Sequence, residues 1–554
     1  MKLVRLLVNS KFRSLYEGFK LDFREEDPDK SWEEFHPFCF AGLNGSGKSN
    51  VLEALSNIFY HLECCTLNKG HSSYLKEDFN PVKSDPLAFE LEYLIIPRNS
   101  SLDKKSFKSY TRVIIRKEQD KIPQISYTIP GELLGKFEDV NNSIRTFLPE
   151  LIIGYSSGEN EILSLPFTKT KFLQFDEYLK YLDDSVELVV DYNLEEKPES
   201  SLVFMDYNMS QAILLSNFLL QDKSVLEPIE EQLEIDRLYS FRLVINDLAL
   251  KDFNDKGEEI ETVDSLLPLA EVFIEQLKKC STSSYKENNL TLLDFYVDDS
   301  TKKAFKDQFS TPIKLFRAFQ VLLMLNLRNV NRKLKREIYN SESLYASQKI
   351  PIPPANEHIF YFNHFKIKKK YSSDEMLVKS FSDGEHQFLH TMGICLMLKD
   401  KSALLLLDEP ETHFNPDWRS RFISLLKQSL NMSGTNNLMR DILITSHSPF
   451  IISDCYPDRV ILFEKNKKPK NSAQFNFRTY GTSIDIIMEN IFKKNNTIGD
   501  LSRKEIENIE EEIKNKKKLS ESQVLVYKEK IAHLGDSMEK ILLFARLNEL
   551  KSKK

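Results

Sequence analysis

The sequence predicts an α/β fold: a mixed sheet whose strands run into polar loops, split by a large, mainly helical insertion and followed by a helical C-terminal tail. Three observations carry this expectation. A glycine-rich segment, Gly42–Ser49, joins a strand-like run to a helix-like one; a wholly apolar run, Leu404–Leu407, ends in Asp408-Glu409; and the pattern between them turns mainly helical.

Taken in order, Leu3–Val8 and Phe19–Phe23 read as short strands around Ser10–Glu17, and Phe38–Gly42 as a third that enters the glycine segment. From Ser49 to Leu62, Val51, Leu52, Leu55, Ile58, Phe59 and Leu62 recur at helical spacing. Alternation in 87–96, 110–116 and 124–129 suggests an antiparallel sheet beside this unit. The stretch from Phe172 to Arg336 reads as helical, interrupted by a strand at 201–206, and Ile350-Pro351-Ile352-Pro353-Pro354 ends it because proline cannot continue a helix. Leu404–Leu407, Ile442–Thr445 and Val460–Phe463 are short apolar strands of the buried parallel kind. Beyond Leu501 the chain is Lys/Glu-rich and helical, with breaks near Leu519-Ser520 and Gly535. The expected divisions are 1–170, a first half of a head; 171–355, the insertion; 356–495, the second half; and 496–554, the tail.

With 554 residues the chain exceeds what one core usually serves. Hydrophobic residues make up 41% and glycines number only 16, which argues for regular globular structure. The net charge of −7 provides no global attraction to nucleic acid or anionic membrane. The six cysteines, Cys39, Cys64, Cys65, Cys280, Cys395 and Cys455, contain no C-x-x-C pair and read as thiols in a reducing compartment. Neither a secretory h-region nor an apolar run of membrane-spanning length occurs, so the cytoplasm is expected and a membrane partner is not.

Gly42, Gly47, Lys48 and Ser49 satisfy G-x-x-x-x-G-K-[ST]. Small residues let successive backbone N–H groups curl around phosphate oxygens at a helix N-terminus. Gly42, Asn44, Gly45, Gly47, Lys48, Ser49 and Asn50 are therefore candidates to hold ATP, with Lys48 on the β/γ-phosphates and Ser49 on Mg²⁺. Asp408 is the second candidate for Mg²⁺, directly or through water, and Glu409 the group that polarises an attacking water. In Ile442-Leu443-Ile444-Thr445-Ser446-His447 another buried strand delivers a polar cluster, and His447 is placed to contact a γ-phosphate. The implied activity is ATP hydrolysis.

Ser380-Phe381-Ser382-Asp383-Gly384-Glu385 precedes the Asp408 strand and resembles the signature motif of ABC-type ATPases of the SMC, RecF and OLD-like class. The resemblance implies an ABC-type head in which Ser382 and Gly384 reach ATP bound to a second copy, giving a homodimer or higher oligomer. Asp383 and Glu385 depart from the transporter form of the motif. Phe12-Arg13-Ser14-Leu15 resembles the N-terminal loop that brings a basic residue, here Arg13, near the phosphates, and 411–416 resembles the D-loop, with Asn415 where many relatives carry histidine. More than three hundred residues separate Lys48 from Asp408; without sustained heptads, a compact lobe is expected in place of a coiled coil. The strand at 151–153, with the polar residues after it, reads either as the place of the family's Q-loop, lacking its glutamine, or as a plain turn.

The whole arrangement is similar to ATPases that accompany restriction systems and to Septu-type anti-phage ATPases, some retron-linked. That likeness implies a separate nuclease subunit of the HNH type, or a reverse transcriptase with retron DNA, as partner. No nuclease constellation follows Asp408. The alternative is a RecF/SMC-like DNA-maintenance ATPase with no nuclease partner. Ten Lys/Arg in 301–340, opposed by Asp307 and Glu337, read either as a nucleic-acid contact or as the solvated edge of a packed helix.

Overall fold

The computed structural model describes residues 1–24, 32, 34–67, 78–98, 110–130, 135–158, 161–185, 201–250, 252–253, 259–260, 267–327, 330, 332–341, 350, 357–372, 374–398, 402–432, 440–474, 477–494, 498–514, 516 and 519–552. They form two units, Met1–Thr482 and Ser483–Lys554. Expectations for the prolines at 351–354 and for Arg328 fall outside the described residues.

The first unit is organised by a seven-stranded sheet. Its strands are β3 (Phe38–Gly42), β8 (Leu151–Ser156), β9 (Leu202–Phe204), β17 (Ala403–Asp408), β18 (Arg440–Thr445), β19 (Val460–Phe463) and β20 (Lys470–Asn471), in the order β20-β19-β3-β18-β17-β8-β9. All neighbours run parallel except β20, which is antiparallel to β19. A parallel sheet covered on both faces demands apolar residues at every position, and the four leucines of β17 are at most 1% exposed. Truncating any of them to alanine should cost about 2–5 kcal/mol.

Beside it lies an antiparallel sheet of β1 (Lys2–Val8), β2 (Phe19–Asp22), β4 (Phe89–Ile95), β5 (Thr111–Lys117), β6 (Gln124–Thr128) and β7 (Glu138–Asp139), ordered β2-β1-β4-β5-β6-β7. The helix Lys48–Thr66 shares one hydrophobic core with both sheets, which explains why it is buried on almost every face. Polar ties fix the arrangement. Asp441, at the start of β18, accepts from Leu3 N at 2.7 Å and from both Arg24 Nη1 and Nη2 at 2.7 and 2.6 Å. Burial alone would raise its carboxyl, but Arg24 and Lys2 hold it below the usual range. At the other end of the buried helix, Glu63 accepts from Ser201 Oγ at 2.8 Å, just before β9.

The segment expected as a mainly helical insertion is mostly helix among its described residues, and it also carries strands that the sequence reading did not anticipate. Between its helices it contributes β10 (Ile235–Asn246), the two-residue strands β11 (Asp252–Phe253) and β12 (Glu259–Ile260), β13 (Ser283–Glu287) and β14 (Leu290–Tyr296). With β15 (Phe360–Lys369) and β16 (Glu375–Leu377), the longer ones build a five-stranded antiparallel sheet, β13-β14-β10-β15-β16. Phe241 and Phe295 stack across it at 4.4 Å, and Phe305 of the helix Asp299–Phe309 packs on both.

The second unit begins at Ser483, before the tail boundary expected at 496. Helices Asp500–Lys514, Glu521–Ala532 and Met538–Ser552 close over Ile506, Ile509, Ile513, Val524, Tyr527, Ile531, Leu543 and Leu547. A capping box between Ser520 and Gln523 starts the middle helix, at the break expected from the sequence. Among the described residues no helix is long and apolar enough to cross a membrane.

Candidate functional site

Gly42 ends β3 at φ 144, and a Cβ there would lie 2.2 Å from Phe463 O on β19. Only glycine permits so close an approach. Gly47, at φ 101, caps the helix Lys48–Thr66 without a side chain, leaving the first-turn N–H groups facing the loop. Asn44 and Gly45 sit exposed at the crest of the loop. The Lys48 ammonium donates to Gly42 O at 3.0 Å and Leu43 O at 3.1 Å, and Ser46 Oγ is buried with no hydrogen-bond partner among the described residues. An ammonium folded onto its own loop and an orphaned hydroxyl are groups that phosphate oxygens satisfy, so this cradle fits a nucleotide phosphate chain.

Parallel register brings the rest of the site to the same sheet end. Asp408 of β17 stands opposite Thr445 of β18 and Ser156 of β8. Ser49 Oγ donates to Asp408 Oδ1 at 2.7 Å, joining residues 359 positions apart, and Thr445 Oγ1 donates to the same oxygen at 2.6 Å. No cluster of three His, Cys, Asp or Glu suited to a metal occurs among the described residues. One carboxylate with a hydroxyl, completed by phosphate oxygens and water, is the donor set that suits Mg²⁺.

Glu409 follows with φ 47, a conformation costly for a residue with a Cβ, and its N–H is held by Thr445 Oγ1 at 3.0 Å and Thr445 O at 3.2 Å. Burial, and then the neighbouring Asp408, raise its carboxyl above the usual range, which suits a group that must take a proton. His447 Nε2 lies 3.5 Å from Glu409 Oε1. Burial and the nearby Lys48 push the imidazole down to about 4, so it is neutral at pH 7. Lys48 is itself lowered by burial, against the pull of Glu409 and Asp408.

Other expected residues are placed differently. Leu15 and Ser14 of the Phe12–Leu15 turn lie against Gly47, but Arg13 Nε donates to Glu53 Oε1 at 2.8 Å, and its Nη2 is 3.7 Å from Asp85. Asn50 belongs to the same network: it accepts from Ser14 Oγ and donates to Glu53 Oε2 at 3.1 Å. Ser382 caps the helix Asp383–Met397 in a capping box with Glu385, whose other oxygen accepts from Lys369 at 2.8 Å. A Cβ on Gly384 would sit 2.8 Å from His413 O. Among the described residues no hydrogen bond joins this helix start to the Gly42–Ser49 loop; its ties run instead to the turn after Glu409. In the basic stretch, Arg317 donates to Gln320, Lys335 pairs with Asp176 and Arg336 with Asp78.

Three residues escaped the sequence reading. Thr445 was one letter within an apolar strand, although a threonine at such a strand's polar end was the available signal. Ser157 donates through its N–H to Asp408 O at 3.2 Å, and its hydroxyl lies 2.9 Å from Thr412 Oγ1, so the polar residues after β8 border the acidic strand. Glu411, within the D-loop-like string, is 4% exposed and accepts from Ser446 Oγ.

Comparison with known proteins adds one family. Residues 276–453, less than half of the chain, match the model described as "AAA domain, putative AbiEii toxin, Type IV TA system". The match spans Ser382, Gly384, Asp408, Glu409 and His447, while the glycine loop lies before it. Comparison with curated proteins gives no match. Among solved structures the chain is similar to "Crystal structure of the SmcHead bound to the C-winged helix domain of ScpA", at 12% identity and TM-score 0.33, covering 85% of this chain and 97% of that one. The strand–loop–helix at Gly42–Ser49, its parallel sheet and the matched segment give a P-loop ATPase fold.

Proposed function

We propose that the chain binds and hydrolyses Mg-ATP as one half of a two-headed site, completed by Ser382 and Gly384 of a second copy, and that this ATP clamp gates a separate nuclease in anti-phage defence. The observation that carries the ATPase part is the convergence on Asp408 Oδ1 of Ser49 from the glycine loop and Thr445 from the neighbouring strand, with Glu409 and His447 beside Lys48. In this reading the loop N–H groups and Lys48 hold the phosphates, Ser49 and Asp408 hold Mg²⁺, and Glu409 orients water. The metal supplies charge neutralisation on the phosphates. Neutral His447 is suited to hydrogen-bond a γ-phosphate.

The two-headed arrangement is supported by Ser382, exposed at a helix N-terminus whose ties run away from its own loop. The defence role draws its support from the family description, which names a putative toxin of a Type IV system, and from the likeness to Septu-type ATPases. Glu409→Gln should bind ATP, turn it over far more slowly and accumulate as a dimer, whereas Lys48→Ala should not bind. Equal dimerisation of the unsubstituted protein and Glu409→Gln in saturating ATP would count against the clamp. DNA-stimulated turnover with no copurifying nuclease would favour a DNA-maintenance role instead.

A further inference from the structure

The turn that follows β17 carries more than Glu409. Glu411, two residues on, points inward, and its Oε1 accepts from Ser446 Oγ while its Oε2 is buried with no hydrogen-bond partner among the described residues. Burial pushes its carboxyl up to about 7. Ser446 is fully buried: its N–H donates to Phe40 O at 3.1 Å on β3, and its hydroxyl accepts from Ser448 N at 2.9 Å. The Ser446–Ser448 loop, with His447 at its middle, is thus closed by its own hydroxyl and anchored through that hydroxyl to Glu411. Two residues beyond Glu411, His413 N donates to Gln387 Oε1 at 2.9 Å, and His413 O is the atom that leaves no room for a Cβ on Gly384.

We infer that Glu411 is a positioning residue that locks the Glu409 turn to the His447 loop, so that the helix headed by Ser382, the water-orienting carboxylate and the γ-phosphate-facing imidazole move as one body. A buried carboxyl with one oxygen unpartnered is costly and persists only where its hydrogen bond does something for the structure around it. Here it adds a buried side-chain tie between the two segments that meet at Glu409 and His447, beyond the hydrogen bonds that Thr445 makes at their strand ends. The inference rests on the ATPase reading for what is positioned, and on the hydrogen bonds for how.

The test compares Glu411→Ala, Glu411→Gln, Ser446→Ala and the Glu411→Ala/Ser446→Ala double variant in full-length protein. Turnover, equilibrium ATP binding and the Trp418 fluorescence response to Mg-ATP are read, the last in a Trp32→Phe background. Trp418 packs on Phe388 and Phe414 beside Gly384 and reports on the Ser382 helix. Glu411→Ala should lower kcat by about 10–100-fold, as a misplacement on the ångström scale does, with ATP affinity unchanged within about twofold. Glu411→Gln should recover most of that loss because its amide oxygen still accepts from Ser446. Ser446→Ala should match Glu411→Ala, and the double variant should be no worse than either. A kcat for Glu411→Ala within about twofold of the unsubstituted protein, or losses that multiply in the double variant, would overturn the inference. Should Glu411→Ala fail to fold, Ser446→Ala and Glu411→Gln carry the same comparison. Absence of turnover in the unsubstituted protein would count against the ATPase reading; the Trp418 response, expected to shrink in Ser446→Ala but not in Glu411→Gln, then decides the role of Glu411, and an equal response in both would overturn it.

Discussion

Thr445 and Asp408 face each other across neighbouring parallel strands, and the threonine hydroxyl donates to Asp408 Oδ1 at 2.6 Å while accepting the Glu409 N–H at 3.0 Å. One side chain therefore fixes both acidic residues at the sheet's polar edge. Thr445→Val removes that donor and acceptor with little change in shape. The Mg²⁺ concentration for half-maximal ATP turnover should rise about tenfold, the worth of one hydrogen bond to a charged group, and Thr445→Ser should restore it. A magnesium titration of the three proteins checks this; an unmoved midpoint would separate Thr445 from metal binding.

Gly42→Ala should be far more damaging than its size suggests. Its Cβ would fall 2.2 Å from Phe463 O at a φ of 144, so β3 and β19 must part where the loop begins. We expect a loss of about 2–4 kcal/mol in stability together with nucleotide binding. Thermal denaturation with and without ATP tests it, and an ATP-induced stabilisation equal to that of the unsubstituted protein would exclude the effect on the loop.

The N-cap role of Ser382 and its proposed contact with a second copy can be separated. As an N-cap its removal in Ser382→Ala should cost about 1 kcal/mol whether or not nucleotide is present. Ser382→Asp keeps the cap and adds a negative charge where a second copy's γ-phosphate is proposed to dock. It should retain the stability lost in alanine yet show no ATP-dependent dimer by light scattering. A dimer of normal strength in Ser382→Asp would argue against the composite site.

Acid should destabilise the protein through its histidines. Burial pushes His61 and His447 down to about 4 and His390 to about 3, from an ordinary value of 6.5. Above pH 6.5 neither state binds the proton and the groups cost nothing. As pH falls below 6.5 the unfolded chain takes up protons that the folded one refuses, so stability drops until the folded groups titrate near pH 4 and 3. For a site as buried as His61, whose ring bonds Pro81 O at 3.1 Å, the full loss is up to about 3 kcal/mol. Denaturant melts between pH 7 and 4 should show a shallower fall for His61→Gln than for the unsubstituted protein; parallel curves would refute the assignment.

The parts of the fold that were legible in the sequence are those with one dominant demand. β3, β17 and β19, and β18 beyond Arg440 and Asp441, are buried on both faces and therefore read as unbroken apolar runs, and β17 and β18 deliver polar residues at the end where the loop begins. The helix Lys48–Thr66 likewise announced itself by spacing. β10 did not. Register shifts at 235/237, 238/240 and 240/242 break its alternation, so Ile235, Leu238 and Phe241 fall inward at every third position and imitate a helix. Glu411 and Thr445 were hidden for another reason: what they do depends on which strand lies beside which, and that order is absent from any local window.

That strand order also dictates when the site can exist. β3 pairs with β18 through Phe38 and Leu443 and with β19 through Cys39 and Val460, so the glycine loop emerges from the ribosome with neither neighbour yet made. At ~5–20 residues per second, about 400 residues of further synthesis leave the early strand waiting some tens of seconds for its flanks. During that interval the apolar run 38–42 is an unshielded edge. A nucleotide can find a finished cradle only once β18 and β19 have been made, so a copy that stops before Phe463 leaves 38–42 without its β19 neighbour and the loop without its support.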